Sequence, residues 1–264
     1  MRTRFDSPKW HAAIARLVRS GGDQSAADAL VAVVGLAVSH GGTCLLVFHK
    51  DAPPEVLHHT LEPAGAKHYL DRYLAGPYLL DPLYQLALRT DKPVVCRFRD
   101  ETPDRFRSSE YYHHYCERTH LRDEMDFVLD VSEQSTLVLV VGCRERMFSK
   151  AELDRLRLIE GTVRAAMRNI WDRWTTRHDT GERDRSLHRR LKKCFENFGE
   201  SRLTRREREI TQLLLRGHST KSIARELGIA PGTVMVHKRN LFVKLGITSQ
   251  YELFSMFIEK LSRA

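Results

Sequence analysis

Four helix start-and-stop signals crowd into the stretch between Thr204 and Leu261. Thr204 with Glu207 three residues on is a capping box, and Gly217 suits the left-handed position that ends a helix. Ser219 opens a second helix that Gly228 ends, Pro231 stands near the start of a third that Gly246 ends, and Ser249 caps a fourth. Ile210, Leu213 and Leu214, then Ile223, Ala224 and Leu227, then Val234, Leu241 and Leu245, then Leu253, Phe254, Phe257, Ile258 and Leu261 are their apolar faces. Helices this short are not stable alone, so the pattern predicts four helices around one shared core. The second and third are joined by a short turn containing Gly228, the layout of a helix-turn-helix. The third also carries Thr233, Met235, Val236, His237, Lys238, Arg239 and Asn240 on surfaces its core does not need. Such a helix fits the major groove of double-stranded DNA.

Charge points the same way. The chain has 264 residues and a net charge of +9. Residues 201–264 hold 12 Lys/Arg against 5 Asp/Glu, whereas residues 1–171 hold 23 of each. A basic end on a neutral body suits a module for a polyanion.

The residues themselves resemble the DNA-binding domain of LuxR-type transcriptional regulators: Leu203 to Ile210, Gly217 to Ala224, Leu227 to Val234, and His237 to Gly246. The resemblance implies that Glu207 is the structural acid of the first helix. It implies that Met235, Val236 and Arg239 meet base edges, and that Lys221, Thr233, His237, Lys238 and Lys244 match or lie near phosphate-facing positions. It also implies RNA polymerase as a partner and a homodimer on DNA.

Ahead of this lies a mixed segment. Trp10–Arg19, Ala26–Val38, Lys67–Tyr73, Leu83–Arg89 and Ser108–Thr119 read as helices. Thr43–His49, Glu55–Thr60, Pro93–Phe98, Met125–Val131 and Thr136–Gly142 read as strands or extended pieces. Ser149 and Glu152 form a capping box before a long stripe from Leu153 to Trp174. The expected architecture is an α+β sensor sandwich, GAF- or PAS-like, over residues 1–174. A polar linker over 175–200, with room for a late helix through Leu187, Leu191, Phe195 and Phe198, leads to the all-α helix-turn-helix domain at 201–264.

Tyr69, Tyr73 and Asp81 loosely resemble the autoinducer pocket of quorum-sensing LuxR-type proteins, which implies a small-molecule ligand, an acyl-homoserine lactone in one alternative. There a carboxylate accepts from the ligand amide and a tyrosine hydroxyl donates to a carbonyl. The phrase from Tyr73 to Tyr84 looks more like solo LuxR-type regulators with a GAF-like sensor. Asp81 before Pro82 equally suits a helix N-cap. His113, Cys116, Glu117 and His120 would share one helical face, as zinc ligands or as an ordinary half-buried helix; neither a metal nor another cofactor is expected. No phosphate loop, nucleophile elbow or receiver acid pair occurs, so no enzyme is expected. A sigma-like factor remains an alternative. Five unpaired-looking cysteines, no signal peptide and no apolar run long enough for a bilayer predict a cytoplasmic protein with no membrane contact.

Overall fold

A computed structural model describes residues 4–21, 23–61, 63–89, 93–177 and 185–263. In chain order the helices are α1 (Pro8–Arg19), α2 (Asp23–Ala37), α3 (Pro63–Leu74), α4 (Pro82–Arg89), α5 (Phe98–Glu101), α6 (Lys150–Leu158), α7 (Glu160–Arg177), α8 (Arg185–Glu196), α9 (Arg205–Leu215), α10 (Thr220–Leu227), α11 (Pro231–Leu245) and α12 (Gln250–Ser262). The strands are β1 (Gly42–His49), β2 (Glu55–His59), β3 (Val94–Arg97), β4 (Asp123–Ser132) and β5 (Ser135–Cys143).

The strands form one antiparallel sheet in the order β2-β1-β5-β4-β3. Because side chains alternate along a strand, each central strand feeds two cores. Leu45 and Val47, Met125, Phe127 and Leu129, and Leu137, Leu139 and Val141 face a layer made by α1, α2, α6 and α7. Cys44, Leu46, Phe48, Val128 and Val138 face the other way, toward α3, α4 and the segment 98–119. The outcome is a sheet covered on both sides, followed by a four-helix unit, as the α+β sandwich and helix-turn-helix reading predicts.

Three local expectations change. The stripe from Leu153 to Trp174 is two helices, broken at Ile159, whose φ of −101° and ψ of 3° leave the helical region; its apolar positions stay buried across the break as far as Trp171, and Trp174 is half-buried. Ser108–Thr119 is not one α-helix but a 3-10 turn ending at Ser108, a π turn at Tyr112–Cys116 and a 3-10 turn at Glu117–Thr119. His113 pairs with Glu117, while Cys116 lines a cavity beside the sheet. Among the described residues no group of three His, Cys, Asp or Glu is placed to hold a metal.

The stretch read as a linker is also largely helical. α7 runs on to Arg177, residues 178–184 lie outside the described residues, and α8 buries His188, Leu191 and Phe195. The physical reason is the apolar face left open by the spacing Leu187, Leu191, Phe195, Phe198. Phe195 and Phe198 meet Phe257 of α12 edge-on, with ring centroids 5.5 and 5.4 Å away. No helix among the described residues is long and apolar enough to cross a membrane.

Candidate DNA-reading face and sensor cavity

Both capping boxes form. The Thr204 hydroxyl accepts from the Glu207 N–H, and the Glu207 carboxylate accepts from the Thr204 N–H at 2.8 Å. Ser219 caps α10 through the Ser222 N–H, and Ser249 caps α12 through the Glu252 N–H. Gly228 and Gly246, both left-handed, end α10 and α11.

These ends fix the pose of α11. Val234, Leu241 and Leu245 are buried, which holds one side of the helix to the core. Met235 is 63% exposed and Val236 48%, and Thr233, Arg239 and Asn240 are exposed as well. Apolar side chains left in water on a helix whose other face is pinned form a surface shaped to meet something else. His237 is half-buried. Lys238 is half-buried too, its ammonium 5.4 Å from the centroid of Phe242 and 3.5 Å from Gln250 Oε1. Burial, and then Arg105 nearby, push its pKa down.

Lys221 is exposed near the start of α10. Lys244 is held inward: its Nζ donates to both Glu207 oxygens, at 2.9 and 2.8 Å. Glu207 is only 3% exposed at its side chain. Burial pushes its carboxyl up, but the bonds from Lys244 and Thr204 outweigh this and hold it below the usual range.

The second site is a cavity of about 130 Å³ between the sheet and the helices α3 and α4. Tyr69, Tyr73 and Asp81 come together on its wall. Asp81 does two things there. Its Oδ1 accepts from the Leu83 N–H at 2.8 Å, capping α4, and its Oδ2 accepts from the Tyr73 hydroxyl at 2.7 Å. Burial pushes its pKa up to about 6. Burial also pushes the Tyr69, Tyr73 and Tyr111 phenols well up, so they remain protonated donors.

Sequence reasoning missed other parts of the wall, among them Phe106 and Tyr111 from the irregular segment, and Glu124 from β4. The signal was there in the acids at 123, 124 and 126, which interrupt the apolar alternation of a strand buried on both faces.

The basic end also touches the sensor side. The Ser219 N–H and hydroxyl both donate to the Asp104 carboxylate, the first at 2.9 Å. The Arg105 N–H donates to the Gly217 carbonyl at 3.1 Å.

Residues 201–257 match the family described as bacterial regulatory proteins, luxR family. A helix-turn-helix-type transcriptional regulator from the exeN 3′ region of Aeromonas salmonicida is 35% identical over 160 residues, 59% of this chain and 82% of that protein. The transcriptional regulatory protein UhpA of Escherichia coli K12 is 49% identical over 51 residues, 19% of this chain and 26% of UhpA. Among solved structures, the VqsR LBD domain of Pseudomonas aeruginosa shares the fold, with a TM-score of 0.57 and 23% identity over 63% of this chain and 98% of that domain. A basic helix-turn-helix with an open reading helix, the family match and a relative covered over most of its length agree: the chain belongs to the LuxR family of DNA-binding transcriptional regulators, which are not enzymes.

Proposed function

We propose that the chain is a signal-responsive regulator in which residues 1–174 receive a small molecule and residues 201–264 read an operator, with the segment 175–200 between them. The observation that carries the DNA half is the exposure of Met235, Val236 and Arg239 on a helix whose opposite side is buried. Arg239 suits guanine O6 and N7, while Met235 and Val236 offer apolar contact to a thymine methyl. Lys221, Thr233, His237, Lys238 and Lys244 are the proposed phosphate set, and the hold of Glu207 on Lys244 makes Lys244 its weakest member. Two copies would set two such helices on half-sites a helical turn apart, which supports a homodimer. A regulator of this kind works on the chromosome, in the cytoplasm, with RNA polymerase as its onward partner. The five-stranded sheet speaks against the all-helical front of a sigma-like factor.

The signal half is supported by the cavity and by the meeting of Tyr69, Tyr73 and Asp81 on its wall. An acyl-homoserine lactone is a second reading, favoured by the Tyr73–Asp81 pair, which offers an acceptor for the ligand amide.

Selection of genomic fragments with the full-length protein, followed by titration, tests the DNA half. Arg239→Ala is expected to cost roughly 1–3 kcal/mol on the selected site and far less on a scrambled one. An equal loss on both moves Arg239 to the phosphate set. Affinity should fall steeply with salt, and a flat response would count against the basic face as the contact.

A further inference from the structure

The cavity contains acid that the protein does not neutralise. Glu124 lines it, and its carboxylate makes no hydrogen bond or ion pair among the described residues. Two residues along β4, and so on the same face of the strand, Asp126 lies behind the lining, fully buried with neither oxygen partnered. Asp81 also lines the cavity, its carboxylate tied only to a backbone N–H and to Tyr73. A buried carboxyl without a donor is costly.

The cations near the cavity do not meet this need. Arg99 donates to Asp123 and to the Phe148 carbonyl. Arg107, Arg122 and Arg144 are solvent-exposed, and Arg107 donates to the Arg122 carbonyl. None of the four makes an ion pair with Glu124, Asp126 or Asp81 among the described residues. The rest of the wall includes the rings of Tyr69, Tyr73, Phe106 and Tyr111 beside apolar side chains such as Leu46 and Val140, and ring faces attract cations.

We propose that the ligand of this cavity is a small organic ammonium ion, a primary amine on a short aromatic or aliphatic body, held between Glu124 and Asp81 against the tyrosine rings. The assignment rests on the reading of the cavity as the signal site. An ammonium group brings three donors and a full charge to acids that lack both. A neutral acyl amide uses Asp81 alone and leaves the half-buried Glu124 unmatched. Size agrees: at about 130 Å³ the cavity is close to an engineered one that takes benzene, enough for a single ring or a short chain. The state of the acids agrees as well. Burial, and then the other acids nearby, push Glu124 and Asp126 well above the usual carboxylate range, and a cation bound beside Glu124 would offset the repulsion among these acids.

The test is calorimetric titration of the full-length protein at pH 7.5 with matched pairs: 2-phenylethylamine against 2-phenylethanol, and hexylamine against hexanol, with N-butanoyl-homoserine lactone as the neutral amide. At least one amine should bind at least tenfold more tightly than its alcohol. Glu124→Gln should lose at least tenfold on that amine and not on the alcohol, and its melting curve establishes that it folds. Asp81→Asn, which keeps a capping oxygen, should also weaken the amine. If an alcohol or the lactone binds as tightly as the amines, or if Glu124→Gln keeps full amine affinity, the ammonium assignment fails while the cavity stands as a signal site. If none of the five binds at millimolar concentration, the assignment and the signal-site reading fail together.

Discussion

Lys244 and Asp81 are each claimed by two roles, and magnitudes decide between them. Lys244 has a buried carboxylate 2.8 Å away and is itself 40% exposed. A hydrogen bond to a charged group is worth about 1.5–3 kcal/mol net, and exposure places this one at the low end. Lys244→Met is therefore expected to destabilise the full chain by about 1–2 kcal/mol in urea titration, with little change in the salt slope on DNA. A salt slope lower by about one with unchanged stability would make phosphate its main partner instead. Asp81 has a folded pKa raised from 3.8 to about 6. Between those values the native state keeps a proton that the unfolded chain has lost, so stability falls as pH rises. The contribution is fully present below about pH 4 and is lost as pH passes through about 6. Asp81→Asn keeps an oxygen for the Leu83 N–H and cannot ionise. Its stability relative to wild type should rise between pH 4 and 7, measured by melting temperature; parallel curves would mean that Asp81 titrates as in the unfolded chain.

Elements with strong local signals were legible, and elements whose shape depends on distant packing were not. The four helices from Arg205 to Ser262 have start signals at Thr204, Ser219, Pro231 and Ser249, and glycines follow the first three, so position along the chain was enough. The turns between Phe106 and Thr119 look helical in sequence because Tyr111, Tyr112, Tyr115 and Cys116 are apolar at close spacing. Cavity and sheet together ask for those side chains on more than one side, and the backbone answers with π and 3-10 turns. The acids at 123, 124 and 126 signalled Glu124 only once the sheet was known to have no wet face, since an acid on a strand normally faces water. Two helix-ending glycines show the same dependence on distant packing. Gly228 at φ +63° and Gly217 at φ +88° both suit a residue without Cβ. A Cβ at Gly228 meets open space, while one at Gly217 lies 3.0 Å from the Phe106 Cα. Gly228→Ala should cost about 1 kcal/mol, the usual left-handed penalty. Gly217→Ala should cost about 1–2 kcal/mol more, because backbone of another element must shift. Equal losses in denaturant titration would mean that the 106 segment gives way freely.

One hydrophobic cluster runs from Cys44, Leu46 and Tyr73 beside the cavity, through Leu191 and Phe195 of α8, to Ile223, Val234 and Leu241 at the centre of the helix-turn-helix. The two halves are thus packed on each other, and the packing leaves Met235, Val236 and Arg239 uncovered. Where they meet, a single short segment serves both sites. Thr102 and Phe106 line the cavity, and between them Asp104 and Arg105 bond the turn Gly217–Ser219. Ser219 is also the N-cap of α10, so Asp104 grips the residue that sets the start of that helix. Asp104→Ala removes two charge-assisted hydrogen bonds at an exposed site, worth about 1–2 kcal/mol together after solvent competition. Ser219 still caps α10 on its own, so the domain should stay folded while the grip loosens. Amide exchange at Ser222 and Ile223 should then rise about tenfold, the change that 1.4 kcal/mol brings, with exchange in β4 and β5 unaltered. If the rise appears equally in the sheet, the bonds stabilise the whole molecule rather than the join. If neither region changes, the cluster of apolar side chains alone holds the two halves together.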